Sequence, residues 1–263
     1  GQYGSLSSDP GHDINYIALT GALSSIGTKN TAPLPPLNLV GDFGGGGMVL
    51  AMGICAALVE VAKSGNGQII DSAMTDGSAL LMSMMYGFYS AGIWNDHRES
   101  NLLDGAAHFY GCYECKDNKF VSIGSIEPQF YQELIKRLEV DEETFKDQMD
   151  RSKWPELKKI LEIKFKEKTR EEWCEIMEGG DVCFAPVLSL EESINYKHNK
   201  DRETFVNIDG VTQPAPAPRF SNTPGKIKHP PVRKGENTRE ILKSIGKEDL
   251  VQELIESKII SEG

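Results

Sequence analysis

At 263 residues the chain is long enough to bury a hydrophobic core in one large domain or two modest ones. With 39% hydrophobic and 25% charged residues it has the composition of an ordinary globular protein, and a formal net charge of −11 argues against non-specific nucleic-acid binding, which needs clustered Lys and Arg. Five cysteines, odd in number and irregular in spacing, argue against a secreted disulfide framework and for free thiols in a reducing, intracellular compartment.

The first third is apolar and rich in glycine. The stretch "INYIALTGALSSIG" predicts a helix opened at Asp9 or Gly11 and closed at Gly27. After the extended "APLPPLNLVGDF", a buried helix is expected from about residue 45 to about residue 63. Its apolar run "MVLAMGICAALVEVA" is too short to span a bilayer and is interrupted by Gly53 and Glu60. "QIIDSAM" then reads as a short strand, and "DGSALLMSMMYGFYSAGIW" as another buried helix starting near Asp76.

The middle of the chain changes character. "HFYGCYEC" and "KFVSIGSI" flank "KDN", which predicts a β-hairpin. "EPQFYQELIKRL" places Pro128 at a first helical position, and helices are expected at about 142–149, 154–168 and 170–178. Capping boxes are legible in "TREE" and "SLEE". "FVNIDGVTQPAPAPRFSNTPG" reads as a long extended loop because of its prolines, and two short amphipathic helices, "NTREILKSI" and "EDLVQELIESKII", follow on either side of Gly246. The expected organisation is a first region over 1–107, a small α+β domain over 108–205 and a proline-rich return segment with terminal helices over 206–263. There is no internal repeat, and neither an amino-terminal targeting segment nor a carboxy-terminal peroxisomal tripeptide is legible.

Several side chains are candidates for chemistry. His12, in "DPGHDINY", lies on a loop just before an apolar helix with a carboxylate neighbour, and histidine is a residue type that serves proton transfer to and from carbon; it also suits a structural hydrogen bond. Asp13 beside it is equally suited to cap the helix, and backbone N–H groups there, Asp13's included, can polarise a carbonyl oxygen. Asp42 precedes four glycines in "VGDFGGGG". Asp is a good cap, but so many glycines weaken a helix, so a ligand approaching the backbone is expected there. The run has neither the Lys-Ser nor Lys-Thr of a phosphate loop nor the spacing of a dinucleotide fingerprint. Glu127, at the end of the second hairpin strand, suits either a favourable charge at a helix start or the orientation of a histidine. Cys112 and Cys115, with His108 nearby, have no second pair to complete a zinc site, and no metal is expected. Met48, Met74, Met82, Met84 and Met85 suit either core packing or a pliable wall for an acyl chain.

Taken in order and with their intervals, "GHDINY", "PPLNLVGDFGGG" and "IEPQFY" closely resemble the α-methylacyl-CoA racemases of the family III CoA-transferase superfamily. "DGSALLMSMM", "WNDHRESNLLDGAAHFYGCYEC" and "PAPAPRFS" extend the resemblance from about Gly1 to Ser221. It implies an α/β fold, with part of a Rossmann-like large domain and a small α+β domain, in an interlocked homodimer. It also implies isomerisation of 2-methylacyl-CoA thioesters in fatty-acid and bile-acid-intermediate metabolism, by removal of the α-proton and its return to the opposite face.

On this resemblance His12 matches the catalytic histidine, Glu127 the glutamate paired with it, and Asp42 the acid and base on the other face. Asp13, Tyr16 and Asn38 match positions lining the thioester and CoA. No metal or redox cofactor is implied, CoA being part of the substrate, and the implied residence is mitochondrial or peroxisomal. The rivals are a family III CoA-transferase, in which an aspartate attacks the thioester to form an anhydride, and an inactive remnant. The superfamily's amino-terminal region, which supplies much of the CoA pocket, is not matched in this sequence, so the resemblance implies a truncated or partial racemase that keeps the proton-transfer residues. His12 beside "DINY" favours the racemase reading.

Overall fold

Helices dominate the first third of the chain, as the computed structural model, which describes residues 1–262, makes visible. The single helix expected after His12 is two: α1 (Asp13–Ala18) and α2 (Ala22–Ser25), separated at Gly21, whose φ of 75° is left-handed. Leu39–Met48 then forms a ten-residue π-helix that runs directly into α3 (Val49–Ser64), and a left-handed Gly65 ends it. The strand expected around 68–74 is not formed. Residues 66–73 are irregular, and among the described residues no strand lies alongside to complete its hydrogen bonds. The second expected helix is divided at Met82 into α4 (Met74–Leu81) and α5 (Ser83–Ser90).

The expected hairpin is present. β1 (Tyr110–Glu114) and β2 (Phe120–Gly124) pair antiparallel, Asn118 turning the chain with a φ of 59°. β3 (Phe184–Val187) adds antiparallel to the other side of β2, with Ser122 opposite both Cys112 and Ala185. Cys112 is exposed and Cys115 buried, on opposite sides of the sheet region.

Helices α6 (Pro128–Leu138), α7 (Glu142–Phe145), α8 (Trp154–Phe165) and α9 (Arg170–Met177) complete this region, with Tyr131, Leu134, Ile135 and Leu138 giving α6 one buried face at helical spacing. Thr169 and Glu172 form the expected capping box, each side chain accepting the other residue's backbone N–H. Tyr113 stacks on Phe165 with ring centroids 4.8 Å apart, and Trp173 meets Phe165 edge-on at 5.2 Å, within one continuous core drawn from residues 107–182.

Packing groups residues 1–187 and 188–263 as two units, a grouping by contacts rather than by the composition changes at 107 and 205. The second unit opens with the expected Ser189–Glu192 capping box on α10 (Leu190–Asn195), followed by α11 (Lys197–Asp201). The segment expected as an extended loop begins instead with a hairpin of β4 (Phe205–Ile208) and β5 (Val211–Pro214). Asp209 and Gly210 supply its tight turn with φ values of 51° and 84°, the Asp-Gly signal of a primed turn that the downstream prolines obscure. α12 (Thr238–Ser244) and α13 (Val251–Glu256) lie on either side of Gly246, whose φ is 68°.

The helix expected to be buried is not. No residue of α3 is buried, and Leu58 and Val59 are 62% and 70% exposed. Together with the π-helix it makes the 26-residue helical stretch Leu39–Ser64, with a mean hydropathy of 1.8 and 6% of its most apolar window buried. By length and composition this stretch suffices to cross a membrane, a property it shares with core helices of globular proteins.

Two features lie deep in the first unit. The π-helix and α4 cross backbone to backbone: a methyl group on Gly77 would overlap the carbonyl oxygen of Gly45, and one on Gly45 would lie 2.6 Å from the Ser78 nitrogen. In the α+β region His108 is fully buried among Phe109, Tyr131 and Phe145. The Tyr131 hydroxyl donates to the Phe145 carbonyl at 2.9 Å, so its oxygen accepts from Nε2–H of His108 at 2.7 Å, leaving the buried Nδ1 without a partner. Burial pushes the His108 pKa down from its ordinary 6.5 to about 4.

Gly77→Ala is therefore expected to destabilise the fold by about 3 kcal/mol or more, read as a lowered urea midpoint; a midpoint unchanged from wild type would show that the two backbones separate freely. For His108 the folded value lies below the unfolded one, so nothing is lost above pH 6.5, and stability declines as the pH falls from 6.5 toward 4. The decline is at most about 3 kcal/mol. His108→Gln keeps a donor toward Tyr131 but does not titrate, and should flatten the decline; equal slopes for the two proteins would assign it to other groups.

Candidate active site

The approach to α1 is set by short-range hydrogen bonds. The His12 backbone N–H donates to Oδ1 of Asn15 at 3.0 Å, closing the first turn, and the Tyr16 hydroxyl folds back to donate to the Gly11 carbonyl at 3.1 Å. His12 is exposed, Tyr16 half-buried, and Asp13, only 4% exposed, points inward.

The π-helix begins beside α1. Its first N–H groups have no carbonyl one turn back, and that of Asp42 donates instead to Oδ2 of Asp13 at 2.8 Å. The Asp42 carboxylate is in turn gripped by the side-chain amide of Asn38, the residue that precedes the π-helix. Five of the six residues singled out from the sequence, His12, Asp13, Tyr16, Asn38 and Asp42, thus lie on two touching segments. His12 is one peptide away from Asp13, and Asp13 is one hydrogen bond away from the Asp42 backbone.

Several glycines of this region are crowded by the chain itself. The backbone approaching Gly41, Gly44, Gly45 and Gly46 is met by the chain's own atoms: the Asp13 carboxylate, the Leu39 carbonyl and Leu81, the Ser78 nitrogen, and the Gly41 carbonyl and Met74, respectively. Close packing on α1, on α4 and within the π-helix itself accounts for these positions. None of the five methionines singled out from the sequence is fully buried. Met82 and Met85 line a cavity of about 240 Å³ with Tyr86, Tyr89 and Trp94, Met74 is half-buried beside Gly46, and Met48 and Met84 are exposed.

Glu127 stands apart. It precedes α6, exposed, with Pro128 at the first helical position as expected, and no hydrogen bond or ion pair joins it to His12 among the described residues. Its turn is nevertheless held firmly. The Ser125 hydroxyl donates to the Val182 carbonyl at 2.6 Å, and the Gln148 side-chain amide donates to the carbonyls of Ser125 and Ile126 at 3.0 and 2.8 Å. Partial burial, then the Glu127 and Asp181 carboxylates, push the Cys183 thiol up.

Sequence reasoning missed Gln148, which carries no local signal, and Arg98. The guanidinium of Arg98 ties down the chain after α2 by donating to the carbonyls of Ser24, Thr28 and Thr31 at 3.0, 3.2 and 2.7 Å. It missed Gly77 as well, although a glycine inside a helical pattern is a signal of close packing.

Known proteins share both sequence and fold with this chain. The profile of CoA-transferase family III matches residues 1–238. The chain is 45% identical to the α-methylacyl-CoA racemase of Mus musculus, over 96% of this chain and 67% of that protein, and 43% identical to that of Homo sapiens, over 99% and 69%. It spans about two thirds of the length of these curated relatives. Among solved structures, a CaiB/BaiF family protein from Brucella suis superposes with a TM-score of 0.74 at 20% identity, over 93% of this chain and 65% of that one, and thereby shares its fold. A mixed α/β chain with this fold, this profile match and these relatives belongs to the family III CoA-transferases.

Proposed function

We propose that the chain acts as an α-methylacyl-CoA racemase, interconverting the (R) and (S) forms of 2-methylacyl-CoA thioesters. The observation that carries this reading is the junction of α1 with the π-helix, where the residue next to His12 holds the backbone of Asp42. Two groups able to exchange protons with carbon are thereby mounted on neighbouring segments, one ordinarily basic near neutrality and the other a carboxylic acid. Identity of 43–45% to racemases of that name supports the substrate class.

In this scheme neutral His12 removes the α-proton from one face of the thioester while protonated Asp42 delivers a proton to the other; in the reverse direction the roles exchange. The electron pair left on the α-carbon is delocalised onto the thioester oxygen as an enolate, and a backbone N–H at the start of α1, that of Asp13, would stabilise the charge there. Tyr16 and Asn38 would line the thioester and CoA, with Asn38 also steadying Asp42 through its amide. Glu127 would pair with His12 from the other subunit of a homodimer, in keeping with its exposed position and its lack of a partner on α1 within one chain. The reaction needs no metal or redox group, CoA entering as part of the substrate. Its place would be the metabolism of branched fatty acids and bile-acid intermediates, in mitochondria or peroxisomes.

We read the apolar stretch Leu39–Ser64 as a helix with an uncovered face rather than a membrane span. Its first turns carry the Asp42 carboxylate, bonded to Asn38, a polar pair that hydrocarbon would disfavour.

The test is α-proton exchange followed by NMR, with a 2-methylacyl-CoA in deuterated buffer. Wild type should exchange the α-hydrogen, and His12→Ala and Asp42→Ala should each reduce exchange by about 1,000-fold while remaining folded, since a positioned acid or base contributes on this order. Retained exchange in either variant would remove that residue from the scheme, and turnover seen only when a second carboxylate is supplied to accept CoA would favour CoA transfer. Glu127→Gln should lower turnover and leave the thermal midpoint unchanged; a fall in the midpoint alone would reduce Glu127 to a helix-end charge.

A further inference from the structure

Asp13 is the only buried acidic residue among the described residues, and the proton-transfer scheme uses only its backbone. Burying a carboxylate is costly unless it is hydrogen-bonded, and this one is only half satisfied: Oδ2 accepts the Asp42 N–H at 2.8 Å, while Oδ1 is buried without a partner. The bond joins residues 29 apart in sequence, and it meets a donor that the start of the π-helix leaves open. The chain is shaped around it. A side chain at Gly41 would overlap the Asp13 carboxylate and lie 3.1 Å from Cγ2 of Ile17, so glycine is needed there for the two segments to meet.

From this geometry we infer that the Asp13 side chain is a positioning residue: its carboxylate latches α1 to the π-helix and so fixes His12 relative to Asp42. The inference rests on the reading of those two residues as the proton-transfer pair. It assigns the carboxylate a different task from lining CoA. A group that is 4% exposed and directed at a backbone amide has little surface left for a ligand. The latch holds Asp42 by its backbone, while Asn38 holds the same residue by its carboxylate, so main chain and side chain are anchored separately. What the latch requires is an acceptor at Oδ2, not a charge, and an amide in place of the carboxylate supplies one.

Two variants and two readouts test it. The first readout, amide hydrogen exchange at Asp42, is independent of activity. In wild type this amide should be protected; Asp13→Ala should lose about tenfold or more of that protection, and Asp13→Asn should keep most of it. The second is the steady-state rate of α-proton exchange with a 2-methylacyl-CoA. Asp13→Ala should lower kcat by about 100-fold, the effect of a misplaced catalytic group, with KM close to wild type, and Asp13→Asn should restore most of kcat.

An unprotected Asp42 amide in folded wild type would overturn the latch, as would protection that survives Asp13→Ala. A raised KM with unchanged kcat would instead return Asp13 to the substrate site, and an Asp13→Asn variant as inactive as Asp13→Ala with protection intact would assign the role to charge. If Asp13→Ala fails to fold, the wild-type and Asp13→Asn amides still decide. Absence of exchange in wild type would refute the racemase reading, whereas the latch would then stand or fall on the Asp42 amide.

Discussion

The site in the first unit depends on how closely two helical backbones can approach. At Gly45 and Gly77 the π-helix and α4 meet with no side chain between them, and the methyl group of an alanine at Gly77 would occupy the space of a carbonyl oxygen. α1 packs against both of these elements, so the crossing sets the frame in which Asp13 reaches Asp42. A glycine-rich π-helix is poorly stabilised by its own hydrogen bonds and propensities, and here tertiary contact substitutes for them. The cost of the glycines in helix stability is offset by the proximity that they permit.

Much of the architecture was legible because it is written locally. The hairpin around "KDN", the proline at the start of α6 and the two capping boxes are short-range signals whose physics is complete within a few residues. The misses share a cause. The strand expected at 68–74 requires a neighbour, the burial expected of α3 requires a covering surface, and the purpose of the glycine run lies in a helix about thirty residues further on; none of these is encoded where it is felt. The β4–β5 hairpin is the exception, since Asp209-Gly210 is a strong local signal that a proline-rich context masked.

The candidate site divides in the same way. His12, Asp13 and Asp42 are legible one by one as residue types at helix starts, whereas Asn38 enters only through the resemblance, and hydrogen bonds join Asn38 to Asp42 and Asp42 to Asp13. Glu127 was recognisable as the end of a strand and the start of a helix, whereas the grip of Gln148 on its turn crosses more than twenty residues and left no trace in either segment. The two candidate segments are therefore organised differently. The segment that carries His12 and Asp42 is fixed by helix crossing, and the turn that carries Glu127 by side-chain amide and hydroxyl bonds to loop carbonyls.

The π-helix also carries a consequence for how this region can vary. A surface loop absorbs an added or lost residue by bulging, but Asp42 and the glycines are threaded on a continuous helical ladder that runs directly into α3. Changing the number of glycines would not lengthen a hinge. It would rotate everything upstream about the helix axis, swinging the Asp42 amide away from Asp13 or lifting Gly45 off α4. The spacing from Asn38 to Met48 therefore behaves as a ruler, intolerant of insertion even though its composition is that of the most permissive of linkers.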